Sequence, residues 1–231
     1  NAIISLPGVP KEMEYLLHEA VIPYLQKRFN LNEIIKVRVI HTSGMGEGMI
    51  DEQIGALETL TNPTVGLAAH NGVVDIRIAA KAQTESQADA MIAEIESQLR
   101  EKLGGIVFGV DDDTLESVTL AEVKNRSWTL TMIGFGLTDS ILRKLPSLAS
   151  LPDLQPAALT EALRAARAES RAHAALGVAV FTDEMKAEIA LITPRGEKTH
   201  TITYGGHPRN LPRWAMNTGL HLLRMQAEAG S

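Results

Sequence analysis

One candidate for chemistry is the segment Thr131–Gly136, in which an apolar stretch ends in Gly134-Phe135-Gly136. A strand that runs into a glycine turn before a helix is where α/β proteins place ligands, because the helix amides point outward. Only two glycines match the fingerprint of dinucleotide sites, and a tight turn without a ligand is the alternative. The segment is therefore either a candidate phosphate cradle or a simple turn.

Two further glycine-containing segments carry ionisable side chains. Residues 44–48 (GMGEG) precede a helical pattern, so their amides could bind an anion and Glu47 could act as an acid or base. The helix dipole also favours a carboxylate at a helix start, which makes a structural loop the alternative. In residues 205–214, Arg209 and Arg213 lie at a helix entry, where they could contact phosphate or extend into solvent.

No set of residues has the spacing of a metal site. The seven histidines are scattered, and none shares a helix face with a second histidine and a carboxylate. Asp111-Asp112-Asp113 could bind a hard cation, but three aspartates without a glycine-bearing loop are typical of a solvated linker. The chain has no cysteine, which excludes thiolate chemistry. We expect neither a metal nor a cofactor.

The composition is that of a globular protein whose 231 residues suit two small cores better than one. The formal net charge of −6 and the aromatic content of 4% both argue against a nucleic-acid partner. No apolar run approaches the ~20 residues that cross a bilayer, and no signal peptide is recognisable. We therefore expect a cytoplasmic protein without a membrane partner.

The first residues predict a fragment of a preceding domain. The apolar run Ile3–Leu6 predicts the end of a strand, and an amphipathic helix is expected from about Pro10. A single strand cannot bury itself, so residues 1–30 are interpreted as the remnant of a preceding domain. The dipeptide Asn1-Ala2 could be a cloning remnant.

Residues 31–110 predict a small α+β unit with the order β-α-β-β-α-β. Its strands are expected at 36–41, 64–69, 74–78 and 106–108, with Asn71-Gly72 as a hairpin turn.

Residues 111–231 predict a second unit of three α/β layers, in which Thr114 caps a helix. A strand is expected at 128–133, a helix at 139–145, a proline-rich loop at 146–156, a helix at 157–173, strands at 177–181, 187–193 and 198–204, and a last helix at 212–227. The predicted fold class is therefore α/β, with the small α+β domain followed by this three-layer domain.

Several of these segments resemble the competence/damage-inducible protein family, CinA. Residues 6–13 (LPGVPKEM) resemble the LPGVPxEM signature that closes the family's N-terminal molybdopterin-binding-type domain. Residues 44–47 (GMGE) resemble the GxGE loop of its KH-type middle domain, and residues 62–66 (NPTVG) and 75–80 (DIRIAA) resemble two of its strands. Residues 108–116 are similar to the junction into its last domain. The resemblance implies a remnant of the preceding molybdopterin-binding-type domain at 1–30, a KH-type domain at 31–110 and a deamidase-like C-terminal domain at 111–231.

The resemblance also implies which chemistry has been lost. The family's N-terminal domain is associated with metal-dependent hydrolysis of ADP-ribose, and its C-terminal domain with deamidation of nicotinamide mononucleotide. The deamidase serine lies in an AESCTGG turn, where this chain has residues 132–138 (MIGFGLT) with Gly134 at the serine position. A YSNxxK segment has no counterpart, because residues 145–155 are too short, and Ser140 lies on the helix instead of in the turn. Nucleophile and base are therefore both absent from the expected positions.

We accordingly expect no catalytic residue and no enzyme activity in this chain, which would act as a scaffold or dimerisation module for the hydrolase domain. Two alternatives are a nicotinamide-nucleotide amidohydrolase with rearranged residues and a KH module that binds nucleic acid, although Glu47 replaces the basic residue of a KH loop. We expect a relict pocket formed by Gly134, Phe135, Gly136, Thr182, Arg209 and Arg213. The sequence leaves open whether this pocket binds a nucleotide. A homodimer is expected through apolar residues of the last helix: Trp214, Met216, Leu220, Leu223 and Met225.

Overall fold

The structure is a computed structural model that describes residues 2–145, 147–155 and 158–229. Asn1 of the predicted cloning remnant lies outside the described residues. So do Pro146 and Pro156 of the predicted loop and Ala157 at the predicted start of a helix. Within the described ranges, no helix combines the length and the apolar character that crossing a membrane requires.

The N-terminal segment is a long helix that the rest of the chain leaves exposed. α1 (Pro10–Leu16) continues through a π-helical turn (Leu17–Val21) into α2 (Ile22–Phe29), and none of these residues is buried. The helix begins at Pro10, as predicted. The strand predicted at Ile3–Leu6 is wrong: no described strand pairs with it and Ile3 is fully exposed, because an isolated strand leaves its backbone groups without partners.

The first sheet has four antiparallel strands in the order β2-β3-β1-β4, with two helices on one face. Its elements are β1 (Ile34–Ser43), α3 (Glu47–Glu58), β2 (Thr64–His70), β3 (Val73–Ala82), α4 (Glu85–Leu103) and β4 (Val107–Val110). Ile50 and Ile54 of α3 and Ile92 of α4 are buried against the sheet, because apolar residues recur every three or four positions. The predicted order β-α-β-β-α-β is confirmed.

The second sheet has five strands in the order β6-β5-β7-β8-β9, of which β6, β5 and β7 are parallel and β8 and β9 antiparallel. Its elements are α5 (Leu115–Asn125), β5 (Leu130–Phe135), α6 (Asp139–Lys144), β6 (Leu148–Ser150), α7 (Leu159–Ser170), β7 (Ala174–Phe181), β8 (Lys186–Thr193), β9 (Gly196–Thr203) and α8 (Leu211–Glu228).

Helices cover both faces of this second sheet. On one face, Leu159 and Leu163 of α7 pack against Ile133 of β5. On the other face, α5, α6 and α8 share a core with Met132 and Val178. The chain is therefore a mixed α/β protein with two sheets, as predicted. The short strand β6 was predicted as loop, because it has only three residues and only Leu148 among them is buried.

α8 joins the two sheets. Its apolar side packs into the second sheet, where a Cβ on Gly219 would lie 3.1 Å from Val178. A second side, called here the α8 stripe, faces the first sheet and consists of Trp214, Asn217, His221, Arg224 and Met225. The spacing of three or four residues places these side chains on one helix face. The same helix therefore belongs to the core of one sheet and to the joint with the other.

Candidate functional site

The glycine turn after β5 is closely packed. A Cβ on Gly134 would lie 2.4 Å from Leu137 Cδ1 and 3.4 Å from Leu148 Cδ1, so the space over the position is filled by leucine. Gly136 has φ of +66°, and a Cβ there would lie 2.3 Å from the carbonyl oxygen of Val180. Only glycine fits this turn without moving its neighbours.

Three other residues of the predicted pocket lie near this turn or farther along the same end of the sheet. Phe135 contacts Phe181 with ring centroids 5.6 Å apart, and the exposed Thr182 directly follows Phe181. Arg209 is exposed in a 3-10 turn before α8. The end of β9 pairs with the start of β8, so the chain enters α8 at the end of the sheet where β5 and β7 finish.

Arg213 lies in a different environment from the glycine turn. Its Nη1 donates to Glu116 Oε1 at 2.6 Å, and the guanidinium lines a hollow together with Lys144. Arg213 is therefore neutralised by a carboxylate of α5, while Gly134 is covered by leucine side chains. A single pocket built from all six predicted residues stays a prediction.

The structure brings together two other segments that the sequence singled out separately. Residues 44–47 and the segment around Tyr204, Asn210 and Trp214 line the same hollow of about 720 Å³ between the two sheets. We call it the inter-sheet hollow. The hairpin turn Asn71-Gly72 forms part of its wall, and a Cβ on Gly72 would lie 2.8 Å from Trp214 Cδ1. Volumes of about 300–1,000 Å³ are typical of small-molecule sites.

A smaller hollow of about 300 Å³ lies on the other side of the same hairpin. Its polar side chains include His41, Asp75 and His70, with Asp113, Glu116, Lys144 and Arg213 around them. His41 Nδ1 lies 2.7 Å from Asp75 Oδ1, and His70 Nδ1 lies 3.8 Å from the second oxygen of the same carboxylate. Asn217 of the α8 stripe donates to the Asn71 carbonyl between the two hollows.

His41 is held between two hydrogen-bond acceptors. Burial disfavours the charged ring, but the Asp75 carboxylate and the Asp111 carbonyl, 2.8 Å from Nε2, together raise the pKa of His41 above its ordinary value. Both ring nitrogens can donate only in the imidazolium form, which explains the direction. The ring also stacks on Phe108 with centroids 5.6 Å apart.

The aspartate segment is tied to the first sheet. Asp111 accepts from the Val39 amide at 3.0 Å and pairs with Arg38 Nε at 2.8 Å, while Asp113 accepts from the Val110 amide at 2.8 Å. The three aspartates are exposed, as a solvated linker requires, yet two of them fix the backbone where β4 leads to α5.

A buried serine and a half-buried histidine meet where β1 reaches α8. Ser43 Oγ lies 2.9 Å from His221 Nδ1, and burial lowers the pKa of His221 to about 4, with a smaller contribution from the charge of Arg224. A serine–histidine pair is a possible nucleophile and base. Ser43 is only 1% exposed, however, so a substrate could not reach its hydroxyl. This pair belongs to the joint between the sheets.

The sequence analysis missed this joint because its residues are far apart in the chain. Arg224 is 1% exposed, donates to Glu228 Oε1 at 2.6 Å and to the Gly105 carbonyl at 2.5 Å, and leaves its Nε without a partner. A lone arginine in a helical pattern gives no sign that it is buried.

Across the described residues, no three histidine or acidic side chains converge as metal ligands would.

Comparison with known proteins identifies the first sheet. Residues 37–109 match the family described as the damage-inducible protein CinA KH domain. These residues are therefore similar to the KH domain of the CinA family. A CinA-like protein from Synechococcus sp. is 37% identical over 130 residues, which are 56% of this chain and 31% of that protein. A CinA-like protein from Kosmotoga olearia is 39% identical over 130 residues, with the same coverage of 56% and 31%.

This chain thus spans about a third of the length of these curated relatives. Among solved structures, a competence-damaged protein (CinA) superfamily protein from Enterobacter cloacae is similar over 51% of this chain and 96% of that one, at 12% identity and a TM-score of 0.43. That TM-score is too low to support an argument about this chain.

Proposed function

We propose that this chain is a non-catalytic, assembly-forming part of a CinA-family protein, which scaffolds or dimerises a separate hydrolase domain. Within this proposal, residues 31–110 are the KH-type domain and residues 111–231 a deamidase-like domain that has lost its chemistry. The observation that carries the proposal is the packing at Gly134.

Gly134 occupies the position that the family resemblance gives to the nucleophilic serine. A serine needs free space above the turn so that its hydroxyl can approach a substrate carbon. Here the direction of a side chain at this position is blocked at 2.4 Å by Leu137 and at 3.4 Å by Leu148. Leucine packing thus replaces a reactive group at the end of β5, which favours a structural role for the turn.

The assembly role is supported by apolar side chains that the chain leaves exposed on its N-terminal helix. Tyr15 is 66% exposed, Phe29 is 52% exposed and Tyr24 is 47% exposed. Exposed apolar side chains on a helix that packs on nothing else are typical of an element that another protein surface covers. We place the contact with the hydrolase domain, or with a second copy, on this helix.

The structure corrects the residues that were expected to form a dimer. Met216, Leu220 and Leu223 are fully buried in the core of the second sheet. Trp214 and Met225 of the α8 stripe contact Gly72 and Gly105 of the first sheet. Met216, Leu220 and Leu223 therefore cannot belong to a partner surface, and that part of the prediction is wrong, whereas Trp214 and Met225 are half-buried at the joint with the first sheet.

Two measurements test the proposal. The purified chain should release no ammonia from nicotinamide mononucleotide above the buffer rate, whereas turnover near ~1 per second, ordinary for enzymes, would support the amidohydrolase alternative. Light scattering should give twice the monomer mass of 25.0 kDa, or that mass plus a hydrolase domain supplied in trans.

A pair of variants assigns the surface. Tyr15→Glu combined with Tyr24→Glu should abolish the association, because two carboxylates would have to be buried in it. Met49→Glu is the matched control, since Met49 is also an exposed apolar residue on a helix but lies on α3. A mass of 25.0 kDa at all concentrations, with no binding in trans, would remove the support for an assembly role.

A further inference from the structure

We propose that the inter-sheet hollow binds a planar nitrogen heterocycle, in the chemical class of a nucleoside without phosphate groups. Two glycine-bearing loops from different sheets border the hollow, and an aromatic pair forms one of its walls. The ligand class follows from the stacking surface, the free hydrogen-bonding groups and the distribution of charge.

The aromatic pair provides a fixed stacking surface. The rings of Tyr204 and Trp214 lie 5.3 Å apart at an interplanar angle of 41°, and both residues line the hollow. Trp214 is held in place by Gly72, whose positive φ of +81° and missing side chain let the indole approach the backbone. Stacking on such a ring contributes affinity for any planar heterocycle, because every base has a π-face.

The polar side chains around the hollow suit the edge of a heterocycle. Glu47, Asn210 and His200 line it, and within the described part of the chain their side chains form no hydrogen bond or ion pair with another residue. A carboxylate accepts hydrogen bonds, a carboxamide donates and accepts, and an imidazole does either. Together these three side chains can form hydrogen bonds with the amino groups and ring nitrogens of a base. An apolar ligand would leave the three side chains without hydrogen bonds.

The charges disfavour a phosphate. Among the described residues, no lysine or arginine lines the inter-sheet hollow, and Glu47 contributes a negative charge. The neighbouring hollow has Lys144 and Arg213, but three carboxylates share it and Arg213 is already paired with Glu116. A phosphate in the inter-sheet hollow would meet a negative side chain and no lysine or arginine among the described residues, so the neutral nucleoside is preferred over its monophosphate.

Binding can be measured through Trp214. The full chain with Trp128→Phe retains Trp214 as its single tryptophan, and adenosine and adenosine monophosphate are titrated separately. We expect saturable quenching by adenosine and at least about tenfold weaker binding of the monophosphate, equivalent to about 1.4 kcal/mol. Glu47→Gln should narrow this difference, because it removes the carboxylate that repels phosphate.

Two variants at one position separate stacking from folding. Tyr204→Phe keeps the ring and should keep adenosine affinity within about twofold, whereas Tyr204→Leu should weaken it by about tenfold. Thr138→Ala, on the far side of the second sheet's glycine turn, should leave the affinity unchanged. The proposal is overturned if adenosine causes no saturable quenching in a chain with native circular dichroism. It is equally overturned if the monophosphate binds as tightly as adenosine, or if Tyr204→Leu binds like the parent.

Discussion

Replacing His221 should change how the stability of the chain depends on pH. His221 lies in the joint between β1 and α8, where burial lowers its pKa from 6.5 to about 4. In the unfolded chain the ring takes up a proton as the pH falls through about 6.5, but in the folded chain it stays neutral until about pH 4. The unfolded state therefore binds more protons in this window, and the free energy of unfolding falls as the pH falls from about 6.5 to about 4.

The size of the effect follows from these two values. At pH 5 the difference in proton binding costs about 2 kcal/mol relative to pH 7. The ring is not completely shielded from water, which reduces the expected loss to about 1–2 kcal/mol. For a chain of this size, the loss corresponds to a decrease of about 2–8 °C in Tm.

The assay is urea unfolding at pH 7 and at pH 5, followed by circular dichroism and by tryptophan fluorescence. His221→Gln should lower stability at both pH values but remove about 1–2 kcal/mol of the loss between them. Ser43→Ala is the matched control, because it deletes the 2.9 Å partner of the ring and leaves the ring buried. Its stability should decrease by about 1 kcal/mol at both pH values with the parent's pH dependence.

The reasoning would be refuted if His221→Gln kept the parent's loss between pH 7 and pH 5. It would also be refuted if Ser43→Ala removed that loss, since the hydrogen bond and not burial would then hold the ring neutral.

Three further predictions concern other residues. The parent should lose stability as the pH rises above 6.5, because the raised pKa of His41 favours the charged ring in the folded chain. His41→Gln should abolish this loss, and thermal unfolding at pH 6 and pH 8.5 would check the sign. Gly72→Ala should destabilise by about 1–3 kcal/mol through its φ of +81° and its contact with Trp214, whereas Gly55→Ala, with nothing within 4 Å, should be neutral or stabilising in the same denaturation assay. Gly134→Ser should lower Tm without producing ammonia from nicotinamide mononucleotide, because the new side chain meets Leu137, and a gain of turnover would contradict this.

Local patterns predicted most elements of both sheets. The hairpin signal Asn71-Gly72 and the capping residue Thr114 are found where the sequence indicated them. These signals act within a few residues, so each is readable without knowledge of the rest of the chain. The strand predicted at Ile3–Leu6 does not form. A strand needs a neighbouring strand to pair with, and a local sequence pattern does not reveal that neighbour.

The candidate site was predictable only in parts. The two segments that border the inter-sheet hollow were each recognised from glycines and ionisable side chains, but about 160 residues separate them and nothing local indicates that they meet. The apolar residues of the last helix, Trp214, Met216, Leu220, Leu223 and Met225, predict a surface for a partner, since an apolar helix face has the same pattern whether another chain or the same chain covers it. Burial of Arg224 depends on the Gly105 carbonyl, which lies 119 residues away.

The bonds made by Asp111 have a consequence for dividing the chain experimentally. Its carboxylate holds the Val39 amide and Arg38, and its carbonyl holds His41, so three partners on β1 depend on a residue that follows the last strand of the first sheet. A fragment cut after Val110 would remove the acceptor of the Val39 amide, of Arg38 Nε and of His41 Nε2, and Asp113 could no longer bond the amide of that terminal residue. The smallest self-sufficient piece therefore extends through Asp113, and a protease should find the aspartate segment a poor place to cleave.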